Sequence, residues 1–257
     1  MILKFPKKKI VLECFTHNAA VHKFFPIAPA RQHLPSWFKK IPQTTTEVNA
    51  FGVEFPQPTF RRCDGFINLF NTGWVLPLWC DMIIETEEDG GWKYYVSDNV
   101  KDPAHPQSEP VICFANSQLG NNFPNHCHMK IDIPWFIREK TGVYFHYSQN
   151  TWGIKEHWDN LTVVPGLLNF KDQGGGHINM FAKRGIKIMI EHNTSLIHCV
   201  PLSEAKLEIK NYLVSEQEFK HLKQPTSFSF SFVGKYKKGI QLKNSMKDWR
   251  KGIEGAH

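Results

Sequence analysis

The chain has 257 residues, 41% hydrophobic and 13% aromatic, which excludes a disordered polymer and supplies enough apolar mass for one sizeable core. Lys and Arg (31) outnumber Asp and Glu (24), and the net charge of +7 suits nucleic-acid phosphates or an acidic partner. No apolar run approaches the roughly 20 residues of a membrane-crossing helix, so no membrane partner is expected. The cysteines at 14, 63, 80, 113, 127 and 199 include no Cys-x-x-Cys pair, which argues against a zinc knuckle or a redox motif. The start of the chain shows no signal-peptide pattern, so reduced thiols are expected, in the cytoplasm or in a particle assembled there.

Residues 1–60 read as a proline-rich N-terminal arm. A strand-like Ile10–Phe15 is followed by Pro26, Pro29, Pro35, Pro42, Pro56 and Pro58, a density that prevents continuous helix. A short helix is expected over Ala30–Lys40, presenting Trp37 and Phe38 as apolar anchors for the chain's own core or for a neighbouring subunit.

Residues 61–214 read as a β-sandwich core. Expected strands are Gly65–Phe70, Gly73–Glu85, Trp92–Val96, Val111–Phe114, Lys130–Ile137, Gly142–Tyr147, Leu161–Leu168, His177–Ala182, Ile186–Ile190 and Ser195–Val200, with an acidic hairpin turn at Glu87–Gly91. This regular spacing indicates an all-β fold, an antiparallel β sandwich or jelly-roll-like barrel.

Residues 215–257 read as a C-terminal helix, an edge strand and a basic arm. Ser215 precedes Glu218 by three residues, a capping box for a helix over Ser215–Lys223. Phe228, Phe230 and Phe232 alternate with serines and form a second set of interface anchors. Lys235, Lys237, Lys238, Lys247, Arg250 and Lys251, interleaved with Tyr236 and Trp249, form a basic arm suited to an acidic neighbouring subunit or to nucleic-acid phosphates.

The clearest chemistry lies in Gly120 to His128. On a strand of period two, His126, His128, Lys130 and Asp132 share one face, and Cys127, Met129, Ile131 and Ile133 share the other. Two imidazoles and a carboxylate are a ligand set for a divalent transition metal, with His177, His192 or His198 as the third histidine. No Gly-x-Ser-x-Gly elbow, phosphate-binding loop or dinucleotide fingerprint occurs.

Ordered landmarks between residues 34 and 203 resemble an uncharacterised domain family of marine tailed phages and some bacteria. They are Leu34-Pro35-Ser36-Trp37, Arg62-Cys63, Gly73 to Pro77, Ile133-Pro134-Trp135, Gly142 to His146, Pro165 to Asn169 and Ile188 to Leu202. Lys140-Thr141 replaces the family's prolines before Gly142, and Asn169 stands where an acid is usual. The spacing of Gly120, His126 and His128 resembles the first metal motif of cupins, with Asp132 near the position of their glutamate. Gly166 to Asn169 followed by Gly174 to Asn179 resembles the nucleotide pocket of the dUTPase-like β fold, but Asn169 cannot activate water as a carboxylate does.

The phage resemblance implies a non-enzymatic structural component of a tailed-phage virion, capsid-, neck- or tail-associated, whose arms bind other virion proteins as a homo- or hetero-oligomer. A cupin-type metalloenzyme using His126, His128, Asp132 and His177 is the alternative, and a dUTPase-like nucleotide-binding protein is the second.

Overall fold

The structure is a computed structural model that describes residues 9–97, 112–114, 122–150, 159–171, 174 and 177–227. In chain order the first elements are β1 (Lys9–Thr16), α1 (Ala19–Phe24), β2 (Ala28–Pro29), α2 (Ser36–Lys40), β3 (Thr44–Val48), β4 (Glu54–Pro58) and α3 (Asp64–Asn71). Then come β5 (Trp74–Pro77), β6 (Met82–Thr86), β7 (Trp92–Val96), β8 (Ile112–Phe114), β9 (His126–Asp132), β10 (Phe136–Arg138) and β11 (Tyr144–Gln149). The last are β12 (Leu161–Val163), β13 (Gly166–Asn169), β14 (His177–Lys183), β15 (Lys187–Ile190), β16 (Ser195–Pro201), β17 (Lys206–Leu213) and α4 (Glu216–Ser227).

The fold is all-β and sandwich-like, built of several mostly antiparallel sheets with a few short helices. The sheets run β10-β1-β17, β13-β11-β16-β5-β2, β12-β14-β9-β8, β15-β6-β7 and β3-β4. One apolar cluster joins the first four, drawing Leu12, Trp74, Met82, Met129, Phe145, Met180, Ile190 and Cys199 from different strands. Among the described residues no helix is long and apolar enough to cross a membrane.

β1 is a central strand. It pairs parallel with β17 along its whole length, from Lys9 opposite Lys206 to Thr16 opposite Leu213, and antiparallel with β10 on its other side. Period two sends Ile10, Leu12 and Cys14 into the main cluster and Phe15 to the opposite face. There Phe15 stacks on Tyr212 at 5.1 Å and meets Phe136, Phe219 and Leu222, so α4 closes that face. Residues 9–16 of the segment expected as an arm therefore form a core strand.

The capping box of α4 forms as expected: Glu218 N donates to Ser215 Oγ at 3.2 Å, and Ser215 N donates to Glu218 Oε2 at 2.8 Å. Gly65–Phe70, expected as a strand, lies in helix α3, because Phe66 and Phe70 one turn apart pack together beside Phe38. The expected helix over Ala30–Lys40 is divided by Pro35 into a 3-10 turn, Ala30–His33, and α2. Gly174 marks a close approach: a Cβ there would collide with the Phe136 ring. Buried Glu139 ties the turn after β10, accepting from the backbone N–H groups of Thr141, Gly142 and Val143 at 2.6, 2.7 and 3.3 Å.

Two stability outcomes follow from these contacts. Phe15→Ala is expected to cost about 3–5 kcal/mol in urea unfolding, because it opens a cavity between β1 and α4. Glu139→Ala is expected to cost about 1–3 kcal/mol, since it removes the charged acceptor of three partly buried backbone donors.

Candidate functional site

β9 and β14 form an antiparallel ribbon in which His126 faces Lys183, His128 faces Phe181, Lys130 faces Asn179 and Asp132 faces His177. The polar face expected from the sequence is therefore present, but its members do not converge. His126 and Asp132 are six residues apart on an extended strand, roughly 20 Å. The Phe181 ring lies between the imidazoles, edge-on to His126 at 6.3 Å and tilted against His128 at 5.3 Å.

His128 is buried, and its Nε2 lies 3.1 Å from Asn179 Oδ1. The Tyr147 hydroxyl, its pKa raised by burial, also hydrogen-bonds Asn179. At the far end of the ribbon His177 and Asp132 form their own pair, and the hydrogen bond from His177 holds the Asp132 carboxyl below its ordinary value. Lys223 of α4 approaches this pair, its pKa lowered by burial and supported by Asp132.

The other candidate ligands serve local structure. His192 donates to Asp81 from its backbone N at 2.7 Å and pairs with it through Nδ1 at 2.8 Å. His198 is buried, with Nε2 2.7 Å from the carbonyl oxygen of Thr72. Among the described residues no group of three or more His, Cys, Asp and Glu is arranged to hold a metal ion. The four-residue set His126, His128, Asp132 and His177 is thus two separate pairs of positions. Asn169 likewise braces a turn, donating to the Gly142 carbonyl at 3.3 Å and accepting from Lys171 N at 3.0 Å.

His126 does line a cleft of about 400 Å³ with Glu88, Pro124, Asn125, Lys183 and Arg184. Arg184 Nη1 donates to the Glu88 carbonyl at 3.4 Å, and its guanidinium lies beside the buried Cys127 thiol, whose pKa is raised by desolvation. The cleft can hold a small anion against Lys183 and Arg184, with the Glu88 carboxylate opposing it.

The interface anchors fall in two groups. Phe38 is buried in the chain's own satellite cluster, 4.6 Å from Phe70, and Trp37 packs beside it at 5.8 Å. Phe38 is therefore a core residue and not an anchor offered to a partner, because α3 supplies the apolar surface that covers it. Phe228, Phe230 and Phe232, and the basic arm of Lys235, Lys237, Lys238, Lys247, Arg250 and Lys251, lie outside the described residues.

A different set of aromatics is exposed. β3 and β4 form a two-stranded sheet of their own, and every residue in both strands is exposed. Asn49 builds the turn: its Oδ1 accepts from Phe51 N at 2.9 Å and Val53 N at 3.0 Å, and Gly52 adopts φ +78°. This leaves Phe51 at the tip, 91% exposed, with Val48, Val53 and Phe55 exposed behind it. At the base, Thr59 Oγ1 donates to the Pro42 carbonyl at 2.5 Å and Arg61 Nη1 to the Ile41 carbonyl at 3.2 Å. The legible signal for this site is Asn49-Ala50-Phe51-Gly52, a turn between a Thr-rich run and a Pro-bearing one.

No protein-family model matches the chain, and no curated protein matches it.

Burial holds His198 below its ordinary value of 6.5. The unfolded chain then takes up this proton before the folded one, so stability is full above pH 6.5 and falls as the pH drops below it. His198→Gln, which keeps a donor for Thr72, is expected to flatten the loss of melting temperature between about pH 7 and pH 5.

Proposed function

We propose that the chain is a non-enzymatic structural protein, a component of a tailed-phage virion that binds neighbouring subunits through the β3–β4 hairpin. The observation that carries this reading is the hairpin itself, a separate two-stranded sheet tipped by Phe51 and flanked by exposed Val48, Val53 and Phe55. An isolated two-stranded hairpin is marginally stable in water, and exposed apolar side chains at its tip and on both of its faces are surface that a partner would cover. The exposed aromatic at the tip is of the residue type that dominates interface energetics.

Two further considerations support it. The side chains most suited to catalysis are engaged in the fold: His128 with Asn179, His177 with Asp132, His192 with Asp81 and His198 with Thr72. The virion context comes from the motifs between residues 34 and 203 that resemble the phage domain family.

The test is quantitative mass spectrometry of purified particles of the phage that encodes the chain. A fixed copy number relative to the major capsid protein is expected, together with loss of a Phe51→Asp variant from particles while its circular dichroism is unchanged. Absence of the wild-type chain from particles would overturn the virion reading, and normal incorporation of Phe51→Asp would remove the hairpin from it.

A further inference from the structure

We propose that the outer edge of β3 pairs antiparallel with β3 of a second copy of this chain, about a two-fold axis at Thr46. This rests on the assembly reading and names the partner of its hairpin.

The phase of the β3–β4 ladder is set by bonds at its two ends, Thr59 N to the Gln43 carbonyl at 3.1 Å and Asn49 N to the Val53 carbonyl at 3.0 Å. Bonded pairs alternate in an antiparallel ladder, so Thr45 bonds Gln57 and Glu47 bonds Phe55 across the hairpin. The N–H and C=O groups of Thr44, Thr46 and Val48 therefore project from the outer edge of β3. Those of Glu54 and the carbonyls of Pro56 and Pro58 project from the outer edge of β4.

The two edges differ in kind. Pro56 and Pro58 stand where β4 would offer outward N–H donors, so that edge cannot accept a strand. β3 has no proline, lysine or bulge, four of its residues (Thr44, Thr45, Thr46 and Val48) are β-branched, and no described strand pairs with its outer side. An incoming strand can join the hairpin at β3 alone.

The self-complementary pairing selects a second copy, and charge selects the register. With the axis at Thr46, Thr46 faces itself, Thr44 faces Val48 and Thr45 faces Glu47. All outward groups of the strand are paired, and its one charge meets a hydroxyl. Sliding the axis to Glu47 would set two carboxylates directly opposite, and sliding it to Thr45 would leave Val48 unpaired. The product is a sheet of order β4-β3-β3-β4 with proline-blocked edges on both sides, which closes the assembly at two copies and takes the hairpin past the strand number that is marginal alone.

The experiment is sedimentation equilibrium of the full chain and two variants. Thr46→Pro removes an outward N–H that the hairpin's own ladder does not use, and Thr45→Lys sets an ammonium opposite Glu47 of the second copy. The expected result is a wild-type dimer, a dissociation constant at least about tenfold higher for Thr46→Pro, and one about two- to fivefold lower for Thr45→Lys at low salt. A wild-type chain that stays monomeric at about 100 μM, or a dimer that neither variant moves, would overturn the proposal. A monomer that is nonetheless present in particles removes this edge and leaves the virion reading. A dimer that responds to both variants but is absent from particles keeps the edge and removes that reading.

Discussion

The parallel ladder between β1 and β17 is the constraint on which the rest of the structure depends. It joins the first described strand to the last one, over their full lengths, and so closes the chain on itself. Closing so long a loop costs conformational entropy, and the compensation is apolar burial on both faces of β1. Ile10, Leu12 and Cys14 enter the main cluster, while Phe15 stacks on Tyr212 and receives Phe219 and Leu222 from α4. Charge pairing trims the solvent side, with Glu13 bonded to Arg138 at 3.0 Å across the β1–β10 pair.

This closure gives the hairpin its setting. Because β1 and β2 are held in sheets before it, and α3 packs Phe70 against Phe38 around it, the chain between residues 41 and 61 leaves and returns to a fixed base. Thr59 and Arg61 bond back to Pro42 and Ile41 at that base. The exposed strands thus leave the folded body from a hydrogen-bonded stem. The histidine-bearing ribbon belongs to the same body. Its polar face is organised by Phe181 and by pairwise hydrogen bonds, with a cleft lined by His126, Glu88, Lys183 and Arg184 at one end.

Much of the sheet pattern is legible in the sequence because strand signals there are strong and local. Trp92–Val96 after an acidic Gly-Gly turn, His177–Lys183 and Lys187–Ile190 with their period-two burial, and Ser195–Pro201 with its continuous buried run, lie close to where the sequence places them. α3 was hidden because Phe66, Ile67, Leu69 and Phe70 make a short apolar run that suits either period, and only the packing against Phe38 decides. The face shared by His126, His128 and Asp132 is legible, but their separation is not a property of spacing on one strand alone. It is the partner register, with His177 opposite Asp132, that splits the set. The hairpin escaped because Thr-rich and Pro-bearing strands lack an apolar face, and among the described residues both stay exposed along their whole length.

Amide hydrogen exchange of Thr44, Thr46 and Val48, followed as the concentration of the chain is raised, tests the central claim most directly. The account requires these outward amides to slow with concentration while those of Thr45 and Glu47, bonded inside the hairpin, hold a constant rate. Outward amides that exchange at the unprotected rate at every concentration would contradict it.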